Sequence, residues 1–183
     1  APSAWAISRF KFRGRGIIRA LYVVLMLLPF QVTMVPSYLV LKDFRLLDTP
    51  WSVILPGVFS TFPIFLMIRG FNSIPLEILE SAAIDGANHW QRFWKIGIPL
   101  GLPGIFSALT LAFLDAWNAI EQPMTFLKSQ QNWPLSLYLT EVNTEELGLA
   151  MAASLLMLLP SLLVFRFGQK YLEAGIGTGA VKG

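Results

Sequence analysis

Long runs without a charged side chain alternate with shorter polar stretches along this chain. Each run reaches or nearly reaches the roughly 20 residues that an α-helix needs to cross about 30 Å of hydrocarbon. The four runs are Ala20–Leu41, Thr49–Ile68, Ile96–Leu114 and Leu147–Phe165. The pattern therefore predicts an all-α, polytopic integral membrane protein. The predicted spans lie at about 17–41, 49–69, 99–121 and 147–166.

Composition argues against the alternative that these runs are core helices of a soluble protein. Hydrophobic residues make up 55% of the 183 residues and charged residues only 14%, and the mean hydropathy is +0.59. Soluble domains typically carry about 25% charged residues. Too little polar surface remains here to cover four apolar helices, so the lipid bilayer is an expected partner.

Basic residues collect on one side of the predicted spans. Those that precede the first span, follow the second or follow the fourth are Arg9, Lys11, Arg13, Arg15, Arg19, Arg69, Arg92, Lys95, Arg166, Lys170 and Lys182. On the opposite side, basic and acidic residues are mixed, as in Lys42-Asp43. Because Lys and Arg favour the cytoplasmic side, both ends of the chain and the connection between the second and third spans are expected in the cytoplasm. The net charge of +3 is then a topology signal, and nucleic-acid binding is not expected.

Catalytic chemistry has little support in the sequence. The chain has no cysteine and one histidine, His89, and it contains no Ser/His/Asp set or paired acids arranged for catalysis. The terminal GIGTGAVKG is glycine-rich, but it lacks the Gly-Lys-Ser/Thr of a phosphate-binding loop. We therefore expect a protein that is not an enzyme and that binds no cofactor or metal itself.

One polar stretch, which ends just before Pro99, separates the second and third apolar runs. We call residues 73–98 the elbow. Ser73, Pro75 and Glu77 mark the start of a first short helix, and Gly86 marks a turn. Asn88 with Gln91 predicts a capping box at the start of a second short helix.

The second elbow helix is expected to end at Pro99, with Arg92 and Lys95 in its last turn. A folded polar connection between membrane spans is expected to bind a partner outside the membrane.

Polar residues at membrane depth are candidates for a solute pathway. Asp115, Trp117 and Asn118 close the third apolar run, and helical spacing places Glu121 on an overlapping face. Gln31 is a further candidate in the first span. The alternative is that the acids are hydrated at the outer interface and that Asn118 joins helices by hydrogen bonds.

Prolines in the interior of the predicted spans indicate bent helices. They are Pro29, Pro36, Pro56, Pro63, Pro103 and Pro160.

The elbow carries a spaced motif that resembles a known family. Glu80-Ser81-Ala82 is followed after three residues by Gly86, and after nine more by Ile96-Gly97-Ile98-Pro99. This spacing resembles the cytoplasmic loop of the membrane subunits of ATP-binding cassette (ABC) importers, whose signature is Glu-Ala-Ala, three residues, Gly, nine residues and Ile-x-Leu-Pro. Ser81 and Ile98 are conservative departures from it.

Other segments are similar to the carbohydrate-uptake branch of that family. They are ISRFKFRGR, LLDTPWSVILP, FPIFLMIRGFNSIP, the Trp117-Asn118 pair and the terminal GAVKG. Such subunits usually have six transmembrane helices, so we expect that an N-terminal part is missing and that this chain holds the last four. The expected organisation is a cytoplasmic basic segment at 1–16, a permease domain at 17–168 and a cytoplasmic tail at 169–183.

The resemblance implies that the elbow couples the spans to a separate ATPase. The residues implied in that contact are Glu80, Ser81, Ala82, Ala83, Asp85, Gly86 and Ala87. Ile78, Leu79, Ala82 and Ala83 form an apolar stripe at helical spacing, which could alternatively pack in part on the protein's own spans.

The resemblance also implies partners and a location. The partners are a second homologous permease, an ATPase dimer that holds ATP and magnesium, and an extracytoplasmic substrate-binding protein. The location is the cytoplasmic (inner) membrane of a bacterium or archaeon, and the solute is a sugar or sugar derivative. A non-sugar solute, a non-transporting scaffold and an ion-coupled carrier are the alternatives, and the elbow argues against the last of these.

Overall fold

A computed structural model of the chain describes residues 1–141 and 147–177, and all regular structure in these ranges is helical. The all-α prediction is therefore confirmed for the described residues. The α-helices are α1 Pro2–Arg9, α2 Arg15–Leu27, α3 Phe30–Asp43, α4 Trp51–Val58, α5 Thr61–Asn72, α6 Leu76–Ile84, α7 His89–Arg92, α8 Ile98–Trp117, α9 Glu121–Phe126, α10 Leu135–Tyr138 and α11 Leu147–Gly177. A π-helical turn at Phe93–Gly97 joins α7 to α8, and 3₁₀ turns lie at Gln130–Asn132 and Leu139–Glu141. Glu145, Glu146 and the terminal GAVKG lie outside the described residues.

The first predicted span, 17–41, is not one helix. It is divided into α2 and α3 by Leu28 and Pro29, and Pro29 has the extended backbone angles φ −69° and ψ 153°. Proline donates no backbone hydrogen bond, and in a continuous helix its ring would clash with the carbonyl of Leu25. Three helical segments of the described chain are long and apolar enough to span a membrane, and α2 with α3 makes a fourth if the pair is one broken span.

The second predicted span, 49–69, is interrupted as well. Helices α4 and α5 are separated by Phe59 and Ser60, although Trp51–Asn72 as a whole forms a candidate span of 22 residues. Pro63 explains the position of the break, because its ring would clash with the Phe59 carbonyl in a continuous helix. In contrast, Pro36, Pro56, Pro103 and Pro160 lie inside helices.

The third predicted span begins earlier and ends sooner than the 99–121 of the sequence prediction. Pro99 does not end the second elbow helix, because the chain continues through the π-helical turn into α8, and His89–Trp117 forms one candidate span of 29 residues. The wider π turn ends at Gly97, two residues before Pro99, whose ring would clash with the Lys95 carbonyl in a regular α-helix. Helix α8 ends at Trp117, and Glu121 begins the separate helix α9.

The fourth span extends beyond the predicted 147–166. Helix α11 runs to Gly177, with a candidate span at Gly148–Glu173. Large apolar side chains along this helix are exposed, among them Leu155 at 65% and Leu162 at 53%. An isolated soluble protein rarely leaves so much apolar surface uncovered, so this surface is available to lipid or to another subunit.

The chain divides into two compact units. Unit 1 comprises residues 1–25, 61–112 and 167–183, and unit 2 comprises residues 26–60 and 113–166. The buried core of unit 1 consists of Ala4, Trp5, Ile7, Ile68, Phe71, Ile74, Leu79 and Phe93. Within unit 1, α5 and α8 meet at Gly70 and Gly104, where a Cβ atom on Gly70 would lie only 2.7 Å from the Gly104 Cα. Such close backbone approach is typical of small residues in membrane helix packing.

Unit 2 contains a loop that is organised by Asp48. The Asp48 carboxylate accepts hydrogen bonds from the Lys128 amide at 2.9 Å, the Ser129 amide at 2.8 Å and the Ser129 hydroxyl at 2.6 Å. The Asn132 side chain donates to the Asp48 carbonyl at 2.6 Å. The hydrogen bonds from Ser129 and Lys128 lower the pKa of the Asp48 carboxyl from 3.8 to about 2. We call Asp48 with residues 128–132 the Asp48 loop.

Candidate functional site

The elbow begins with a helix that ends in a well-formed turn. Helix α6 starts after Pro75, with Glu77 in its first turn, where a negative charge complements the positive end of the helix dipole. At its end, Gly86 has φ +82°, the left-handed conformation that glycine adopts without strain. The Gly86 amide donates to the Ala83 carbonyl at 3.1 Å, and the Ala87 amide donates to the Ala82 carbonyl at 2.9 Å. This pairing is a Schellman motif, which explains why a glycine stands at this position.

The second elbow helix starts with the predicted capping box, which is confirmed. The Asn88 side chain accepts a hydrogen bond from the Gln91 amide at 2.8 Å, and the Gln91 side chain accepts one from the Asn88 amide at 2.8 Å. Two otherwise unpaired amides are satisfied in this way. Hydrogen bonds at the end of α6 and at the start of α7 therefore both fix the turn between these helices.

The motif residues are largely exposed on this frame. Glu80, Ser81, Ala83, Asp85 and Gly86 are exposed, whereas Ala82 and Ala87 are half-buried. The apolar stripe divides: Leu79 is buried in the core of unit 1, while Ile78 is 40% exposed. The elbow therefore packs on the chain through Leu79 and presents its other face outward.

The elbow packs on an aromatic cluster around Trp5. The Trp5 ring contacts Phe71 edge-on with centroids 5.3 Å apart, and Phe93 at 5.7 Å. A Cβ atom on Gly97 would lie 2.7 Å from the Trp5 ring, so this glycine allows the π-helical turn to approach the indole. Trp5 belongs to α1, which the sequence interpretation treated as part of a cytoplasmic basic segment. The missed signal was the apolar set Ala4, Trp5 and Ile7 within that segment.

Two arginines of the basic segment donate hydrogen bonds to carbonyls at helix ends. The Arg9 guanidinium donates to the Phe71 carbonyl and, at 2.7 Å, to the Ile74 carbonyl. Arg15 donates to the Ile7 carbonyl at 2.7 Å and to the Ser8 carbonyl at 2.6 Å. These carbonyls lie at or just beyond the C-terminal ends of α5 and α1, where cations also complement the helix dipole.

Two hollows flank the elbow. The first, of about 160 Å³, is lined by Trp5, Arg9, Phe10, Leu76, Leu79, Glu80, His89 and Arg92. The second, of about 290 Å³, lies against the glycine turn and is lined by Asp85, Gly86, Ala87, Gln91, Lys95 and Ile96. Within the described part of the chain, His, Cys, Asp and Glu side chains form no group of three that could hold a metal ion.

The candidate pathway residues are brought together only in part, within unit 2. The Gln31 side-chain amide donates to the Glu121 carboxylate at 2.7 Å. The Trp117 indole donates to the Met157 carbonyl of α11 at 3.0 Å, and the Asn118 side chain donates to the Leu114 carbonyl at 2.7 Å. Asp115 is exposed. The expectation that Glu121 lies on a helical face overlapping that of Trp117 and Asn118 is wrong, because α8 ends at Trp117 and Glu121 begins α9.

Comparison with known proteins places the chain in a family. Residues 2–178 match the family of the binding-protein-dependent transport system inner membrane component. The polygalacturonan/rhamnogalacturonan transport system permease protein YtcP of Bacillus subtilis is 32% identical, with 98% of this chain and 68% of YtcP covered. The diacetylchitobiose uptake system permease protein DasC of Streptomyces coelicolor is 30% identical, with 98% and 67% covered. The arabinooligosaccharides transport system permease protein AraQ of Halalkalibacterium halodurans is 28% identical, with 98% and 65% covered.

The chain spans about two thirds of the length of the curated relatives it matches. These relatives are named as transport permeases and not as enzymes. The resemblance inferred from the elbow motif is confirmed by the family match, which covers nearly the whole chain. The chain belongs to the binding-protein-dependent transport system inner membrane components, the multi-pass membrane permease subunits of ABC importers.

Proposed function

We propose that this chain forms part of the solute pathway of an ABC importer and is driven by a separate ATPase subunit that binds the elbow. The observation that carries the proposal is the elbow itself. Its motif residues Glu80, Ser81, Ala83, Asp85 and Gly86 are exposed, while Leu79 and Phe93 hold it to a buried aromatic core. An elbow whose one side is held by buried packing and whose other side is exposed is suited to bind a partner protein.

Continuity between the elbow and a span supports mechanical coupling. From His89 to Trp117 the chain is helical without a break. A displacement of the glycine turn would therefore be transmitted along α7 and the π turn into α8. The contacts of Trp5 with Phe71 and Phe93 extend the same displacement to α1 and α5. ATP and magnesium would be bound by the partner ATPase dimer and not by this chain.

The names of three relatives support a carbohydrate as the solute. They refer to arabinooligosaccharides, polygalacturonan or rhamnogalacturonan, and diacetylchitobiose, which are all built from sugars or sugar derivatives. Gln31, Asp115, Trp117 and Asn118 are the proposed pathway residues of this chain. The exposed carboxylate of Asp115 and the paired Gln31 and Glu121 offer hydrogen-bonding groups of the kind that sugar hydroxyls require.

The remaining partners follow from the same proposal. A second homologous permease would complete the pathway, and an extracytoplasmic substrate-binding protein would deliver the solute. The family's description as a binding-protein-dependent system supports the latter. Both ends of the chain and the elbow would lie in the cytoplasm, which the excess of Arg and Lys in these segments supports.

The test is uptake of an arabino-oligosaccharide into proteoliposomes that contain the complete importer and its binding protein. Gly86→Leu and Glu80→Lys are expected to abolish ATP-dependent uptake while membrane insertion is retained. Asp43→Lys is the matched control, because Asp43 is also an exposed acidic residue but lies outside the elbow. Normal uptake by the Gly86 and Glu80 variants would contradict coupling through the elbow. An ATPase that binds without any solute uptake would instead indicate a scaffold.

A further inference from the structure

The smaller hollow beside the elbow combines basic donors with an apolar wall. Arg9, His89 and Arg92 supply its basic groups, and Glu80 is its one acidic residue. The apolar wall consists of Trp5, Phe10, Leu76 and Leu79. The His89 and Phe10 rings meet edge-on with centroids 5.2 Å apart, which joins the end of α1 to the start of α7 across the hollow. All of these residues belong to unit 1.

Two guanidinium groups at this hollow have donors that the described residues do not satisfy. The Nε atoms of Arg9 and Arg92 are buried and have no hydrogen-bond partner within residues 1–141 and 147–177. Among the described residues, the one side-chain hydrogen bond of Arg92 is to the His89 ring, at 3.0 Å. Glu80 lines the same hollow, yet the described residues contain no ion pair between it and either arginine. Burial also lowers the pKa of Arg9, because removal from water disfavours the charged form.

The shape and chemistry of the hollow select a carboxylate on a short apolar stem. A guanidinium binds a planar carboxylate through two parallel hydrogen bonds, and Leu76, Leu79 and Phe10 can cover aliphatic carbons. The volume of about 160 Å³ is below the roughly 300–1,000 Å³ of small-molecule pockets. A protein side chain therefore fits better than a nucleotide or a sugar.

We propose that this hollow receives an Asp or Glu side chain of the ATPase subunit, with Arg92 as the principal contact. The inference rests on the proposed function, since it places the same partner on the elbow. It adds a second contact point to the one at the glycine turn. This second point lies between α1 and the elbow. The ATPase would then hold α1 and the elbow together, and the bound carboxylate would satisfy donors that are otherwise buried and unpaired.

A zero-length cross-link tests the proposal directly in the purified importer. Arg92→Lys introduces an amine at the hollow, and a water-soluble carbodiimide joins an amine only to a carboxylate in direct contact. An amide bond forms, and the displaced carboxylate oxygen leaves with the urea by-product. The expected product links position 92 to an Asp or Glu of the ATPase subunit, identified by mass spectrometry. Arg13→Lys is the matched control, because Arg13 is exposed and lies outside the hollow.

The outcomes separate the alternatives. A link from position 92 to Glu80 alone would overturn the proposal, because it would show that the chain supplies its own carboxylate. The absence of any link at position 92 would overturn it as well. A link to the ATPase that also forms in the Arg13→Lys control would show non-specific reaction and would likewise count against it.

Charge reversal gives a second measurement. Arg92→Glu is expected to weaken ATPase binding at least about tenfold, whereas Arg13→Glu should change it by less than about twofold. Arg92→Lys keeps the positive charge but not the two parallel hydrogen bonds, so it should weaken binding less than Arg92→Glu does. If the unmodified chain binds no ATPase, the proposed function fails; if it binds and Arg92→Glu has no effect, only the assignment of the hollow fails.

Discussion

The elbow and the Asp48 loop show two different ways of holding a connection between helices. The elbow is held by buried aromatic packing, with Trp5 against Phe71 and Phe93. The Asp48 loop is held by one carboxylate that accepts three hydrogen bonds from Lys128 and Ser129. Apolar packing does not depend on protonation, whereas a carboxylate must remain ionised to accept all of its bonds. The two regions should therefore differ in their response to mutation and to acid.

Trp5→Ala is expected to have the largest effect. Removal of a buried aromatic side chain typically costs about 3–5 kcal/mol, and here it also removes the ring on which Gly97 packs. The midpoint of thermal unfolding of the detergent-solubilised protein should fall strongly. Trp94→Ala is the matched control, because Trp94 is 61% exposed and should change the midpoint little. Equal midpoints for the two variants would contradict the aromatic core as the support of the elbow.

Asp48→Ala is expected to have the next largest effect, and to act on the loop rather than on the elbow. It leaves the Ser129 amide and hydroxyl and the Lys128 amide without their acceptor. Protease cleavage between residues 127 and 133 should accelerate, while cleavage within the elbow should not. Asp43→Ala is the control, since Asp43 is exposed and has no described role in the loop. Faster cleavage of both regions would show that the two are not held independently.

Low pH should destabilise the Asp48 loop more than the elbow. The pKa of Asp48 is about 2 in the folded protein against an ordinary value of 3.8. A lowered pKa contributes stability that is fully present above the ordinary value and is lost as the pH falls from about 4 towards 2. Loop protection, measured by hydrogen exchange of the Lys128 and Ser129 amides, should decline over that interval. Asp48→Asn should show no such decline, and an unchanged decline in that variant would contradict the assignment.

Asn88→Ala is expected to have the smallest effect of the four. Loss of a helix N-cap typically costs about 0.5–2 kcal/mol, and α7 continues into a long helix that restrains it. Hydrogen exchange at the Gln91 amide should accelerate, with little change in the unfolding midpoint. Asn88→Ser should retain most of the protection, because serine is also a favourable cap. A loss as large as that of Trp5→Ala would show that local hydrogen bonds, and not the aromatic core, hold the elbow.

Local features of the elbow could be predicted from the sequence because they depend on near neighbours. The Asn88–Gln91 capping box and the glycine turn each involve residues at most five apart. The role of Trp5 could not be predicted in the same way. Its partners Phe71 and Phe93 lie more than 60 residues away in the sequence. The pairing of Gln31 with Glu121 could not be predicted either, because the two residues are 90 positions apart in the sequence.

The sequence by itself determined the helical class, the presence of several membrane spans, and the family through the motif from Glu80 to Pro99. These properties follow from hydrophobic run length and from residues close in the chain. Only the tertiary structure decided where prolines break a span and where they are tolerated, and which elbow residues are buried. It also decided that Arg9, His89 and Arg92 line one hollow. Burial and side-chain proximity depend on packing between distant segments, which no local pattern specifies.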